Sequence, residues 1–159
     1  MGDSLSAGYG IKVENGWVAL LEKRLAEQGY EYRIVNASVS GETSGGGKVR
    51  FPELLRIHKP GTVILELGAN DGLRGLPIAN MRSNLASMIN AALKANAKVL
   101  LAGMQLPPNY GPAYASGFSA TFADLGNQKG VTLVPFFLDG VALDAKLMQA
   151  DDLHPNELG

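Results

Sequence analysis

A chain of 159 residues that is 46% hydrophobic and 18% charged has the composition of one globular domain with a sizeable core, which excludes a disordered or low-complexity class. A formal charge of −1 with dispersed basic residues leaves no electrostatic footprint for nucleic acid or for an acidic membrane surface. The absence of cysteine excludes disulfides, thiol nucleophiles and thiolate metal sites, and no apolar run approaches the roughly 18 residues of a membrane span.

The chain opens on Gly2-Asp3-Ser4-Leu5-Ser6, a turn-forming sequence with a hydroxyl at its centre. Asn15 is placed to cap a helix whose apolar face is Trp17, Leu20, Leu21 and Leu25, with Gly29 as its stop. Tyr32 to Ala37 reads as a short strand, and the turn-rich run 38–47 that follows brings backbone close to something. Phe51, Leu54 and Leu55 mark a second, shorter helix with Pro52 in its first turn or kinking it, ended by Pro60-Gly61. Thr62 to Leu67 is a near-continuous apolar run, the pattern of a parallel strand buried on both faces, and it delivers the chain to Gly68-Ala69-Asn70-Asp71-Gly72. Positions 81, 85, 88, 89, 92 and 93 form the clearest helical stripe, with Asn80 as its cap. Ala97 to Gly103 is the next strand, Met104 to Pro112 a Pro-rich loop, and Tyr114, Phe118, Phe122 and Leu125 another helix. Val131 to Phe136 is the last strand, and residues 137–153 connect it to Asp151-Asp152-Leu153-His154-Pro155.

Strands alternating with helices predict a three-layer α/β/α sandwich with a parallel sheet, because parallel strands need crossovers that pack on the sheet faces. Functional groups then belong at the carboxyl ends of the strands, and the loops beginning at Ser38, Gly68 and Met104 each follow one. Chemistry concentrates at the two ends of the chain. A serine hydroxyl is a poor nucleophile near neutral pH unless a base stands beside it, and that base needs an acid to fix its tautomer. Ser4 supplies the hydroxyl, and Asp-x-x-His at 151 and 154 puts a carboxylate and an imidazole on one turn of chain; Asp152 has the wrong offset.

Four blocks in order, Gly2-Asp3-Ser4-Leu5-Ser6, Asn36-Ala37-Ser38-Val39-Ser40-Gly41-Glu42-Thr43, Gly68-Ala69-Asn70-Asp71 and Asp151-Asp152-Leu153-His154-Pro155, resemble the signature blocks of the SGNH hydrolases, also called GDSL esterases. Leu106-Pro107-Pro108-Asn109-Tyr110-Gly111 and Gly72-Leu73-Arg74-Gly75 further resemble the bacterial thioesterase, arylesterase and lysophospholipase branch. The resemblance implies a flavodoxin-like sheet, Ser4 as nucleophile, His154 as base and later acid, Asp151 as orienting carboxylate, and no cofactor. It also implies an oxyanion hole made of the backbone N–H groups of Ser4 and Gly41 and the amide of Asn70. The substrate would be a small acyl ester or thioester such as an aryl ester, acyl-CoA or lysophospholipid, with the protein in the periplasm or secreted. An acyl groove is expected from Leu73, Leu76, Ile78, Met104, Leu106, Pro107, Pro108 and Tyr110, on the two loops that carry the most apolar surface. Asp3 is expected to hold the Ser4 turn through backbone hydrogen bonds.

Rival readings are weaker. Deacetylation of a carbohydrate would want polar groups where these loops are apolar. Gly41 to Lys48 superficially matches a phosphate loop, but Glu42 stands where the first glycine should be and Val49 where the hydroxyl should follow the lysine. Two histidines and no cysteine give no ligand cluster beyond Asp151, Asp152 and His154. The resemblance also implies an apolar strand ahead of Gly-Asp-Ser and a helix after His-Pro. Neither is visible here, which reads as a domain truncated at both ends, with any export signal upstream, or as a strand swapped in from another copy.

Overall fold

The computed structural model describes residues 1–159, the side chain of Pro108 excepted. Six α-helices run in the order α1 (Ser4–Ala7), α2 (Trp17–Glu27), α3 (Ser44–His58), α4 (Ala69–Leu73), α5 (Ile78–Lys94) and α6 (Pro112–Gly126). Three strands, β1 (Thr62–Leu65), β2 (Lys98–Ala102) and β3 (Val131–Val134), form a parallel sheet in sequence order. Register runs Thr62 to Lys98 and Val99 to Val131. The α/β class with a parallel sheet is therefore as the alternating pattern predicts. Loops at the carboxyl ends of β1 and β2 lead directly into α4 and toward α6.

The core lies on one face of this sheet. Val63, Leu65, Val99 and Leu101 point into it and meet Leu85, Met88, Ile89 and Ala92 of α5 and Phe118 and Phe122 of α6. The stripe along α5 works as its spacing requires, since positions three and four apart share one face. Burial alternates along β1, so Thr62 is exposed and Ile64 half-buried. This corrects the reading of that run as covered on both faces. On the opposite face α2 stands off across a cavity of about 560 Å³, lined by Trp17, Val18, Leu21 and Leu25 on one side and Thr62 and Ile64 on the other.

Four local expectations change for physical reasons. Tyr32 to Ala37 is not a strand: a strand needs a ladder, and the nearest backbone bonds lie outside it, from Tyr30 N–H to the Leu25 carbonyl at 2.9 Å and from Val39 N–H to the Gly2 carbonyl at 3.1 Å. The second helix starts seven residues before Phe51, at Ser44, because Thr43 Oγ1 caps it by accepting from Gly46 N–H. The glycines at 45–47 thus sit inside α3, where a Cβ on Gly47 would run into the side chain of Leu67. A side chain there would have to displace the buried Leu67, so glycine lets α3 pack closely on the segment that follows β1. Neither Asn15 nor Asn80 caps its helix; Gly16 and Pro77 hold those positions without side-chain bonds. Leu20 is exposed, leaving Trp17, Val18, Leu21 and Leu25 to face the cavity, and Trp17 itself is half-buried, its ring edge-on to Phe137 at 5.2 Å.

Candidate active site

The Gly-Asp-Ser turn is the start of a helix. Asp3 is the N-cap of α1, accepting from Leu5 N–H at 3.0 Å, and Gly8 closes the four-residue helix in the left-handed region. Asp3 thus does hold the Ser4 turn. Beneath it lies Glu66, fully buried one residue past β1, whose Oε2 accepts from Asp3 N–H at 3.1 Å and from Ser6 Oγ at 2.6 Å. Burial first, and then the Asp3 charge, push the Glu66 carboxyl up to about 8. Asp3 is also raised by burial, against the hydrogen bonds from Leu5 and Asn70 that pull it down.

The two ends of the chain meet. His154 Nε2 lies 2.8 Å from Ser4 Oγ, and His154 Nδ1 lies 2.6 Å from Asp151 Oδ2. Asp151 Oδ1 accepts from the backbone N–H groups of Leu153 and His154, each at 3.0 Å, so the Asp-x-x-His turn folds on its own carboxylate. Desolvation is the largest single influence on Asp151 and raises its carboxyl, but the bonds from His154 and Leu153 together outweigh it and hold the group at about 2. With an ionised acceptor at Nδ1, that nitrogen carries the ring proton and Nε2 is free to accept from the serine hydroxyl. Asp152, in the left-handed region at φ 54°, takes no part in this chain of bonds.

The loops after the strands close around these groups. Asn70 is the second residue of α4, and its Nδ2 donates to Asp3 Oδ2 at 3.0 Å. Gly41 sits at φ 78°, a conformation a side chain would strain, in a loop held by Arg50. Arg50 donates to the Ala37 carbonyl at 2.9 Å and pairs with Glu42. Ser4, Gly41 and Asn70 all line one cavity of about 530 Å³, and His154 borders it.

Of the expected acyl-groove residues, Leu73, Met104, Leu106 and Pro107 line this cavity. Leu76, Ile78 and Tyr110 do not: the Leu76 carbonyl is held by Tyr114 Oη at 2.7 Å, Ile78 opens α5 and packs against the core, and Tyr110 Oη braces the Leu73 carbonyl at 3.0 Å. The Pro108 side chain lies outside the described residues. The opposite wall comes from a segment the sequence reading passed over as a connection. It contributes Leu138, Ala142, Leu143 and Met148, joined by Phe136 from the end of the expected last strand.

Three further residues were missed. Glu66 was hidden in an otherwise apolar run, although a lone carboxylate in such a run is itself a signal of a buried polar role. Tyr9 packs its ring 4.6 Å from the His154 ring. Gln149 ties the histidine segment to the nucleophile segment, donating from Nε2 to the Tyr9 and Pro155 carbonyls at 2.8 Å each and from its backbone N–H to the His154 carbonyl at 2.7 Å. No spacing rule points to either. Among the described residues there is no group of histidine and acidic side chains arranged to hold a metal ion, and no helix long and apolar enough to cross a membrane.

Comparison with known proteins places this geometry among ester hydrolases. A family model described as the GDSL-like lipase/acylhydrolase family matches residues 1–159. The chain is 55% identical over 155 residues to the esterase TesA of Pseudomonas aeruginosa, covering 98% of this chain and 77% of that one. It is 42% identical over 156 residues to thioesterase 1/protease 1/lysophospholipase L1 of Escherichia coli, covering 98% and 74%. A solved structure of the psychrotrophic esterase EstA from Pseudoalteromonas sp., inhibited by monoethylphosphonate, superimposes with a TM-score of 0.94 at 42% identity, over 99% of this chain and 86% of that one.

Proposed function

The chain belongs to the GDSL-like lipase/acylhydrolase family, and from that membership we propose a serine ester hydrolase that cleaves acyl esters and thioesters through an acyl-enzyme. The observation that carries the reading is the unbroken line of hydrogen bonds from Ser4 Oγ through His154 to Asp151 at the edge of a largely apolar cavity.

In this mechanism Ser4 Oγ forms a bond to the acyl carbon as its proton passes to His154 Nε2, and the carbonyl π electrons move onto oxygen. Asp151 stabilises the imidazolium across the Nδ1 bond without taking the proton itself. The oxyanion is held by the N–H groups of Ser4 and Gly41 and by the Asn70 amide. Asn70 spends only one of its two N–H bonds on Asp3, which leaves the other for substrate. Collapse breaks the bond to the leaving alcohol or thiol, which takes the proton from His154, and water then repeats the sequence on the acyl-enzyme.

Substrate class follows from the walls. Leu73, Leu106, Pro107, Phe136, Leu138 and Leu143 offer an acyl chain an apolar bed, whereas the hydroxyls of a sugar would find, outside the catalytic groups and Asp3, only Tyr9, Ser40, Gln105 and Asp152. An acyl-chain-length series of p-nitrophenyl esters and the matching thioesters, run beside an acetylated sugar, tests this. Short- to medium-chain acyl substrates should turn over well and the sugar poorly; comparable rates on the sugar would overturn the substrate class. Ser4→Ala should lower kcat/KM by on the order of 10⁴-fold or more and abolish covalent capture of an alkylphosphonate. Wild-type turnover by that variant would sink the mechanism.

A further inference from the structure

Asp71 is a charged side chain the mechanism does not use, yet it is buried to 3% exposure and does not line the cavity. Its Oδ2 accepts from Ser44 N–H at 2.7 Å and its Oδ1 from Ser44 Oγ at 2.6 Å. Ser44, fully buried, accepts in turn from Asn84 Nδ2 of α5 at 3.1 Å. Enclosing a carboxylate among neutral donors is costly, and a helix cap alone does not explain it, because Thr43 already caps α3.

What this carboxylate joins explains its presence. It sits one residue after Asn70 on α4, and it grips the residue three after Gly41 at the start of α3. The two loops that carry the amide and the backbone N–H assigned to the oxyanion are therefore tied together inside the protein through Asp71. A second tie crosses the same gap at the surface, where Arg74 Nη2 donates to the Gly41 carbonyl at 2.8 Å. We propose that Asp71 is a positioning residue that fixes the spacing between Gly41 and Asn70, and with it the geometry of the oxyanion hole. Donors of this kind act only when aimed at the position the oxyanion will occupy, so a shift of a few tenths of an ångström between the loops is felt in the transition state and little in the ground state.

This rests on the reading of Asn70 as an oxyanion donor, and the experiment separates the two. Asp71→Asn keeps the volume but replaces one acceptor by a donor, so it cannot receive both Ser44 bonds. On a p-nitrophenyl short-chain ester it should lower kcat about 10- to 100-fold with KM within about two-fold, and slow inactivation by an alkylphosphonate by a similar factor. In an Asn70→Ala background the same change should cost at least about three-fold less than in the wild type, because one of the two donors whose spacing it sets is gone. Ser44→Ala, which removes only the Oγ bond, should show a smaller loss with the same dependence on Asn70, and it carries the test if Asp71→Asn fails to fold. Equal losses in both backgrounds, or a rise in KM at unchanged kcat, would overturn the positioning role and leave Asp71 a structural staple. If Asn70→Ala alone left kcat unchanged, the oxyanion reading would fail first and this proposal with it.

Discussion

Two cavities of similar size, about 560 and 530 Å³, are both bordered by the opening residues, and they are built on opposite principles. Met1 and Ser6 line the first, and Asp3, Ser4 and Leu5 the second. Around the second, the polar groups are hydrogen-bonded to one another. Ser4 meets His154, His154 meets Asp151, and Asn70 meets Asp3. The first contains the side chain of Trp17, whose buried Nε1 has no partner, and the buried Ser38 Oγ also lacks one; the edge of β1 there is met by Met1, whose amine donates to the Ile64 carbonyl at 3.1 Å and whose carbonyl accepts from Glu66 N–H at 2.9 Å. A closed polar network holds a site in one geometry, whereas an open groove with orphaned donors holds little. The difference locates the chemistry more firmly than size does, since the larger cavity carries no nucleophile and base in contact.

The comparison breaks most readily at Asp151. Its side chain is 39% exposed, far more open than the Ser4 and His154 contact it supports. If the closed network is what matters, Asp151→Asn should still cost about 10³- to 10⁴-fold in kcat, because an amide would favour the wrong imidazole tautomer. A loss of less than about ten-fold in steady-state kinetics would mean that solvent at this exposed position substitutes for the carboxylate. Sharing that carboxylate is also a stability statement with a definite sign. The folded value of about 2 lies below the ordinary 3.8, so its contribution is present above pH 3.8 and is lost as pH falls through about 2.

Glu66 accepts from Ser6 of the first cavity's lining and from Asp3 of the second's, and it sharpens the comparison in the other direction. Its carboxyl is raised from 4.5 to about 8, so the folded state binds its proton more tightly than the unfolded chain does. Stability from this group is complete below pH 4.5 and declines as pH rises toward and through about 8. Glu66→Gln keeps an acceptor for Asp3 N–H and Ser6 Oγ and removes the titration. The wild-type melting temperature should fall from pH 5 to pH 8 relative to that of the variant, and parallel curves in a thermal-melt series would show that Glu66 is not the group responsible.

What could be read in the sequence divides along the same line. Ser4, Asp151 and His154 were legible because each chemical role constrains residue type and spacing, whereas Asn70 and Gly41 stood out only through blocks that resemble the family, and the block that holds Gly41 follows no strand. Helix α5 was legible because one face of it meets a continuous core. The boundaries of α3 were not, since three consecutive glycines argue locally for a loop and only the packing of Gly47 on Leu67 shows why they are helical. The outer wall of the acyl cavity was equally hidden. Leu138, Ala142, Leu143 and Met148 have no periodicity of their own and are brought together by turns whose bonds are set by the fold, such as Ala142 N–H to the Leu138 carbonyl at 3.0 Å.

The smallest effect expected is on the open side. Leu85 and Leu21 are the same residue on two amphipathic helices, but Leu85 is fully buried in the core, while Leu21 is half-buried and faces the 560 Å³ cavity. Truncating Leu85 to alanine removes contacts on all sides and leaves a hole the core cannot close, which should cost about 2–5 kcal/mol. Truncating Leu21 removes a side chain that already borders empty space, so the loss should stay under about 1 kcal/mol, the share set by the apolar area it still covers. Denaturant melts of Leu85→Ala and Leu21→Ala, compared at equal m-value, measure the difference directly. Equal losses would mean that the cavity beneath α2 is closed in solution by something packed against Leu21, and the contrast between the two cavities would then be one of occupancy instead of construction.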